Sequence, residues 1–322
     1  MSLLRPTYFS NLGDVNYQWC YMFLRDLLAT YVANHEFGLK ESSVGFLKAA
    51  IGSYERFLKR RSTVADFQVL QINQFLDWLR LNRKPDTFRT TRGGLLTLWK
   101  FAIEESLTSI QPAGLRKVRI KRRSPVAWTP EELTKLIQSL HDSAEWSRSR
   151  MPCGVPTGIW WEAIIRTAYD TGMRLGDLLC ASPRQITVNG ESAVIRYIAN
   201  KTGDEFFRSM RPRTWYAVQQ AIMTNRNASD LVWPLWGRRE VFYDAFRKIV
   251  TRSGIREGTF RWIRRTAVTW ADIVNPGLGQ QVAGHKSERV TSDSYRDVTQ
   301  IGLALPSPPD LEVALSLQQS RS

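Results

Sequence analysis

Apolar residues in the first third of the chain recur at steps of three and four, which is the spacing of one face of an α-helix. The pattern predicts four helices: from Tyr17 to Ala33, from Ser42 or Ser43 onward, from about Ala65 to Arg80, and from about Asp86 to Glu105. The apolar faces predicted for the last three contain, in chain order, Val44, Leu47, Ile51, Tyr54, Leu58, Leu70, Phe75, Leu76, Leu79, Leu95, Leu96, Leu98, Trp99 and Ile103. Four helices with short connections predict an α-helical N-terminal domain over residues 1–111.

Capping signals mark the start of a second domain, which we predict over residues 126–305. Thr129 is a good N-cap, Pro130 suits the first helical position, and Glu132 at the third position completes a capping box. A helix is therefore predicted to begin here. The polar residues 142–157, which include glycine and prolines, predict a loop.

Strands are predicted only in the middle of this second domain. The apolar segment Trp160 to Thr171 predicts a helix that ends at Gly172, and residues 186–210 then read as three short strands. Asn189-Gly190 is a strong signal for a hairpin turn between the first two strands. A second turn, residues 200–204, leads to the third strand.

These elements predict a mainly α fold with a small antiparallel β-sheet, of class α+β. A further helix is predicted from Arg239 to Ser253, and its inward residues are listed here in order: Val241, Phe242, Ala245, Phe246 and Ile249. Residues 112–125 are predicted to link the two domains. After residue 305 a proline-rich stretch and a short amphipathic segment form a tail, residues 306–322, which either frays or docks on a neighbouring protomer.

The net charge is the unusual feature of the composition. Hydrophobic content of 43% and charged content of 23% are ordinary for a soluble globular protein of 322 residues, but the net charge is +15. Such a charge predicts a polyanionic partner, either nucleic acid or an anionic membrane surface. No apolar run is long enough to span a membrane, and the N-terminus lacks the order of a signal peptide. We therefore expect a cytoplasmic, nucleoid-associated protein.

Cysteine and histidine are scarce and scattered. The three cysteines are far apart and odd in number, and the three histidines are equally dispersed. This pattern predicts neither a disulfide framework nor a zinc site, and no acidic cluster suggests another metal. We expect no metal and no cofactor.

Basic residues are concentrated in two places that suit a phosphate backbone. The linker between Pro112 and Pro125 carries Arg116, Lys117, Arg119, Lys121, Arg122 and Arg123, and the fourth predicted helix carries Arg89, Arg92 and Lys100 among small residues. Arg247 lies on another basic helix face. Contact with DNA is one interpretation, because like charges in a row repel unless an anion neutralises them. A solvated basic run or helix face is the other.

The stretch from Gly258 to Asp297 contains the candidate chemistry. Arg261 and Arg264 are three residues apart and share a helix face, and His285 and Tyr295 follow. Residues 284–287 resemble a helix start, which would fix the position of the imidazole. Two guanidinium groups, an imidazole and a phenol are suited to binding a phosphodiester and attacking it.

In this order, Arg-x-x-Arg, Gly-His and Tyr resemble the second half of the active site of the tyrosine recombinases, the phage-integrase family. The first half of that site has an arginine after a helix and a lysine in a β-hairpin. TAYDTGMRLGDLLCAS supplies Arg174, and IRYIANKTGDEFFRSM supplies Lys201. The resemblance is specific in the second domain and only architectural in the first.

The resemblance implies a role for each matching residue. Tyr295 would be the nucleophile, the arginines would bind the scissile phosphate, and Lys201 would protonate the leaving 5′ oxygen. Asp177 occupies the position of a supporting acidic residue. The catalytic positions are then Arg174, Lys201, Arg261, Arg264, His285 and Tyr295.

The resemblance also implies the activity and the assembly. A two-domain clamp would close on double-stranded DNA and exchange strands through a 3′-phosphotyrosyl intermediate, without metal or ATP, as a homo-tetramer on paired sites. One departure stands out, because the family usually has His where this chain has Arg261, and arginine cannot shuttle a proton near neutral pH. A type IB topoisomerase-like relaxing enzyme and a decayed DNA-binding protein remain the alternatives.

Overall fold

The computed structural model describes residues 22–35, 38–117, 124–226, 230–235 and 237–304. The chain divides into two compact units, Met1–Lys121 and Arg122–Ser322. Four of the basic residues predicted to contact DNA, Arg119, Lys121, Arg122 and Arg123, lie outside the described residues, as does the predicted tail.

The first unit contains four α-helices among its described residues. They are α1 (Leu24–Ala33), α2 (Glu41–Leu58), α3 (Val69–Asn82) and α4 (Pro85–Glu104), with a 3₁₀ turn (Val64–Asp66) before α3. The core between them combines aliphatic and aromatic side chains. The Phe67 ring stacks on Trp99 with centroids 5.2 Å apart, and the Trp99 indole donates to the Ile110 carbonyl at 2.7 Å. A close approach of α2 and α4 at Gly94 leaves no room for a larger residue there.

Two details of the first unit differ from the prediction. Helix α2 begins at Glu41 after Lys40 rather than at a serine cap, and no side chain caps its N-terminus. Leu70, predicted to be buried, is 73% exposed. Because α3 begins only at Val69 and buries the face that contains Ile72, Leu70 lies roughly 200° around the helix from that face.

The second unit combines a small sheet with helices. Its helices before the sheet are α5 (Pro130–Asp142), α6 (Ala144–Arg148), α7 (Thr157–Thr171) and α8 (Leu175–Leu178), and a 3₁₀ turn (Pro183–Gln185) follows. The strands are β1 (Ile186–Asn189), β2 (Ser192–Ile198) and β3 (Glu205–Met210), and the helices after them are α9 (Pro212–Thr224), α10 (Arg239–Ser253), α11 (Arg261–Val274), α12 (Leu278–Ala283), α13 (Glu288–Ser294) and α14 (Val298–Ala304).

The mainly α fold with a small antiparallel sheet is confirmed. The three strands lie in the order β1-β2-β3, and Asn189 pairs with Ser192 across the predicted turn. The capping box at Thr129 is present, with the hydroxyl accepting from the Glu132 backbone N–H and the Glu132 carboxylate accepting from the Thr129 backbone N–H.

Two local predictions for the second unit are wrong. The predicted loop 142–157 contains the short helix α6. Val241, predicted to point inward, is 45% exposed, whereas its neighbour Phe242 is buried. The buried face of α10 is centred on Phe242 and Phe246, so a residue one position earlier is turned about 100° away from the core.

Gly279, at the start of α12, is a position where a side chain would disturb this packing. A Cβ there would lie 2.6 Å from the Val268 carbonyl oxygen and would also meet the Asp272 carboxylate. That carboxylate cannot move aside freely, because it accepts hydrogen bonds from the backbone N–H groups of Gly277 and Gly279. We expect Gly279→Ala to destabilise the protein by about 2 kcal/mol, as overpacking does.

Thermal unfolding measures this effect, and a loss of that size lowers Tm by about 4–8 °C in a domain of this length. Gly302→Ala is the matched control, because it also lies in a helix of this unit but a Cβ there meets none of the described residues within 4 Å. Equal Tm values for the two variants would show that the α11–α12 turn is less tightly packed than described.

Candidate active site

Arg264 lies at the centre of the candidate site. It is one turn into α11 and only 4% exposed, and its guanidinium donates to the backbone carbonyls of Gly172 and Ala283. Gly172 caps the end of α7 with φ +61°, and a Cβ there would meet Val282 at 2.7 Å, so glycine is required for this close approach. Burial lowers the pKa of Arg264 to about 10, which leaves the group charged at neutral pH.

Three of the predicted arginines meet the predicted nucleophile around one cavity. Arg174 is the N-cap residue of α8, Arg261 is the first residue of α11, and both line a cavity of about 610 Å³ together with Arg264 and Tyr295. Arg247 on α10, which we predicted only as a DNA contact, lines the same cavity. Four guanidinium groups around one opening make it a strong site for an anion.

The Tyr295 ring is held beneath two of these cations. The guanidinium carbons of Arg261 and Arg264 lie 4.9 and 5.1 Å from the ring centroid, and the residue is 9% exposed. Burial alone would raise the pKa of the phenol, but the charges of Arg264, Arg261 and Arg174 outweigh it and lower that pKa. The site therefore raises the fraction of phenolate, the nucleophilic form, above that of a free tyrosine.

His285 lies beside Tyr295, with ring centroids 4.7 Å apart, but it is not at a helix start as predicted. Helix α12 ends at Ala283, Gly284 caps it with φ +59°, and α13 begins only at Glu288. The sequence 284–287 therefore contains a helix end followed by an N-cap position. Gln280 instead fixes the backbone of His285: the His285 N–H donates to the Gln280 carbonyl at 3.2 Å, and Gln280 Nε2 donates to the His285 carbonyl at 3.0 Å.

The contacts of the imidazole define its protonation. Its Nε2 lies 3.5 Å from Arg264 Nη2, and its Nδ1 lies 3.0 Å from Thr291 Oγ1. Because a guanidinium can only donate, Nε2 is the acceptor and Nδ1 carries the proton. Burial, followed by the charges of Arg264, Arg174, Lys201 and Arg261, lowers the pKa of His285 to about 4. The group is neutral at physiological pH.

Asp177 connects the turn that carries Lys201 to the rest of the site. Its buried carboxylate accepts a hydrogen bond from the Asn200 backbone N–H at 2.9 Å, and Asn200 Nδ2 donates to the Gly176 carbonyl at 3.2 Å. At the other end of the turn Asp204 pairs with Lys286 at 3.3 Å. Lys201 itself is exposed, and its charge contributes to the lowered pKa of His285. The Asp177 carboxylate is thus hydrogen-bonded to the turn that carries Lys201.

The remaining basic residues have different surroundings. Arg89 and Lys100 on α4 are exposed, whereas Arg92 is half-buried and its Nε makes no hydrogen bond to the described residues. Their spacing places all three within about 80° of one another around the helix. Arg116 pairs with Asp77, and Lys117 is exposed.

Several residues that hold the site were not found from the sequence. Thr291 and Gln280 fix His285, and Asp272 and Arg296 form an ion pair, with Arg296 Nε 2.7 Å from Asp272 Oδ2, next to Tyr295. None of them belongs to a spaced motif. Within the described ranges there is no cluster of acidic, cysteine and histidine residues that could hold a metal ion, and no helix long and apolar enough to cross a membrane.

Comparison with known proteins gives similarities in sequence and in fold. No protein-family model matches the chain. The tyrosine recombinase XerD of Rhizobium meliloti (strain 1021) is 24% identical over 248 residues, which cover 72% of this chain and 78% of the relative. A lambda integrase dimer bound to a COC' core site covers 91% of this chain and 81% of that chain, with a TM-score of 0.65 and 18% identity. XerH bound to a palindromic difH substrate also has a TM-score of 0.65, with 16% identity and coverage of 87% and 82%.

Proposed function

We propose that this chain is a site-specific DNA recombinase. Its predicted resemblance to the tyrosine recombinases is confirmed in sequence by the XerD relative and in fold by the integrase structures. It would cleave and rejoin DNA strands through a 3′-phosphotyrosyl intermediate. The observation that carries this proposal is the position of Tyr295, beneath Arg261 and Arg264 in a cavity that Arg174 also lines.

The arginines would act on the scissile phosphate. A phosphodiester resists attack because it repels an anionic nucleophile, and the transition state places more charge on the non-bridging oxygens. Arg174, Arg261 and Arg264 surround the position where that charge develops. Donors that are already oriented need no reorganisation during the reaction, and each contributes on the order of 3 kcal/mol.

Bond making and breaking then balance within the DNA and the enzyme. Tyr295 loses its phenol proton to solvent, and the phenolate oxygen attacks phosphorus and forms a phosphotyrosyl bond, while the bond from phosphorus to the 5′ oxygen breaks. Lys201 gives its proton to that oxygen. A 5′ hydroxyl of the partner strand next attacks the phosphotyrosine, returns its proton to Lys201, restores a DNA phosphodiester and releases Tyr295 as the phenolate. One phosphoester replaces another at each step, so the exchange requires no external energy source.

The basic surface would supply binding. We propose that Arg89, Arg92 and Lys100 on α4, the linker from Arg116 onward and Arg247 contact the phosphates of double-stranded DNA, and that the two domains, 1–111 and 126–305, close around the duplex. Strand exchange needs paired sites. One similar structure is a lambda integrase tetramer bound to a Holliday junction, and we propose a homo-tetramer on synapsed DNA here as well, in the cytoplasm at the nucleoid.

A trapped intermediate tests the function directly. The protein first selects duplexes from a library of random-sequence DNA in which each member carries a nick, so that the cleaved end diffuses away. A protein–DNA adduct that survives denaturation is then digested, and mass spectrometry locates the attached nucleotide on the peptide that contains residue 295. Joining of that end to a second duplex separates a recombinase from an enzyme that only relaxes supercoils. Tight binding to the selected DNA without any adduct would contradict the proposal.

Arg261 gives the reaction a characteristic pH dependence. Since arginine cannot accept the phenol proton, the cleavage rate should follow the phenolate fraction of Tyr295. That fraction rises about tenfold per pH unit until the pH reaches the pKa of the phenol, which the site holds below its usual value near 10. Arg261→Gln removes one of the charges that lower this pKa. We expect the rising limb of the rate profile to move to higher pH. The rate at pH 7 should fall by about 10²- to 10³-fold, because the loss of a phosphate contact adds to the higher pKa.

Adduct formation measured between pH 6 and pH 10 gives the profile. Arg261→His is the informative comparison, because imidazole can accept the proton directly and should make the rate less dependent on pH near neutrality. Profiles of wild type and Arg261→Gln that coincide would show that Arg261 does not set the pKa of the nucleophile.

A further inference from the structure

Arg296 immediately follows the candidate nucleophile and joins two carboxylates. Its Nε lies 2.7 Å from Asp272 Oδ2, and its Nη2 lies 2.6 Å from Glu288 Oε1. The Arg296 side chain is 20% exposed and that of Asp272 only 3%. The Arg296–Asp272 pair is therefore largely shielded from solvent, and the planar guanidinium lies between two acceptors. Such a pair fixes the backbone at Arg296 more firmly than a surface ion pair would.

Asp272 is itself held in place. Its Oδ1 accepts the backbone N–H groups of Gly277 at 3.0 Å and Gly279 at 2.9 Å, so both of its oxygens have partners. It lies on α11, the helix that begins with Arg261 and contains Arg264. The anchor of Arg296 and two of the phosphate-binding arginines therefore belong to one rigid element.

The residue after Arg296 is tied to the same helix. The backbone N–H of Asp297 donates to Thr269 Oγ1 on α11 at 3.0 Å, and the Asp297 carboxylate accepts the Ala127 N–H at 2.9 Å. On the other side, Glu288 begins α13, where the Thr291 carbonyl accepts the Tyr295 backbone N–H at 2.9 Å. Tyr295 is thus held from both directions to elements of its own chain.

We propose that Arg296 is a positioning residue for Tyr295, anchored by Asp272 and Glu288, and that it holds the phenol in the arginine cluster. This inference rests on the proposed function, since it concerns how that nucleophile is placed.

The first test separates positioning from general damage. Arg296→Ala should lower the rate of adduct formation by about ten- to a hundredfold, because a displacement of about 1 Å costs that much in a near-attack geometry. Arg289→Ala is the matched control: it removes an arginine of α13 that is 76% exposed and lies 3.6 Å from Asp293. We expect its rate to stay within about twofold of the wild-type rate.

A small added nucleophile makes this test specific. In a Tyr295→Phe background, hydrogen peroxide can replace the phenol and needs no anchor, so strand cleavage by peroxide should be unchanged when Arg296→Ala is added. An equal loss of peroxide cleavage would show that Arg296 maintains the whole site and would overturn the positioning role. An Arg296→Ala rate equal to that of the wild type would overturn it as well.

The failure of this inference and the failure of the proposed function are distinguishable. Absence of an adduct with the wild-type protein would count against the proposed function. An adduct that forms equally well with the wild type and with Arg296→Ala would leave that function intact and overturn the positioning role.

Discussion

Tyr295→Phe should bind the selected DNA as the wild type does and form no denaturation-resistant adduct. The change removes only the phenol oxygen, and the ring keeps its contacts with Val268 and Ala283 and its place beneath Arg261 and Arg264. Stability should therefore change by less than about 1 kcal/mol. Cleavage should fall by on the order of 10⁴-fold or more, because a covalent step cannot proceed without its nucleophile.

Tyr243→Phe is the control for this substitution. Tyr243 lines the same cavity and is 42% exposed, but it lies on α10, where its ring contacts that of Phe242. We expect it to retain adduct formation within about tenfold. If Tyr295→Phe still forms the adduct and Tyr243→Phe does not, the nucleophile has been assigned to the wrong phenol.

The elements that the sequence predicts well are those with a local physical signal. The capping box at Thr129, the glycine stop at Gly172 and the Asn189-Gly190 turn each depend on a few neighbouring residues, and all are present in the fold. The errors at Leu70 and Val241 arise from helix phase. A boundary displaced by a few residues, or a face assigned one position too early, turns an apolar side chain from the core toward solvent.

The candidate site is predicted from a family pattern rather than from local physical signals. The order of Arg174, Lys201, Arg264, His285 and Tyr295 resembles a family pattern, and the fold brings the arginines and the phenol to one cavity. The residues that fix them carry no such pattern. Asp272 and Arg296 are 24 positions apart, and Thr291 and Gln280 are ordinary polar residues of short helices. Only the path of the chain shows that they meet.

The segment around His285 shows why the sequence was ambiguous there. Gly284 is a good helix-ending residue, and Ser287 is a good N-cap three positions later. Both signals are used, since α12 ends before Gly284 and α13 begins after Ser287. A helix start and a helix end within four residues leave the imidazole between two helices. Its orientation then depends on tertiary contacts that no local rule contains.

Arg264→Lys should lose both cleavage and stability, since Arg264 has two functions that one ammonium group cannot combine. Its guanidinium donates to the buried carbonyls of Gly172 and Ala283 while facing the cavity. A lysine keeps the charge but not the fork of donors, so at least one carbonyl loses its partner, at a cost of about 1–3 kcal/mol. Cleavage should fall by about 10²- to 10³-fold through the weaker contact with the phosphate.

Arg174→Lys separates the two functions. Arg174 lines the same cavity but has no hydrogen bond to a backbone carbonyl among the described residues, so its replacement should reduce cleavage with little change in Tm. Thermal unfolding and adduct formation measured on both variants give the comparison. If Arg264→Lys keeps the wild-type Tm, the two carbonyl contacts do not hold α7 and α12 together. The loss of cleavage would then belong to phosphate binding alone, and Arg264 would act on the reaction as Arg174 does.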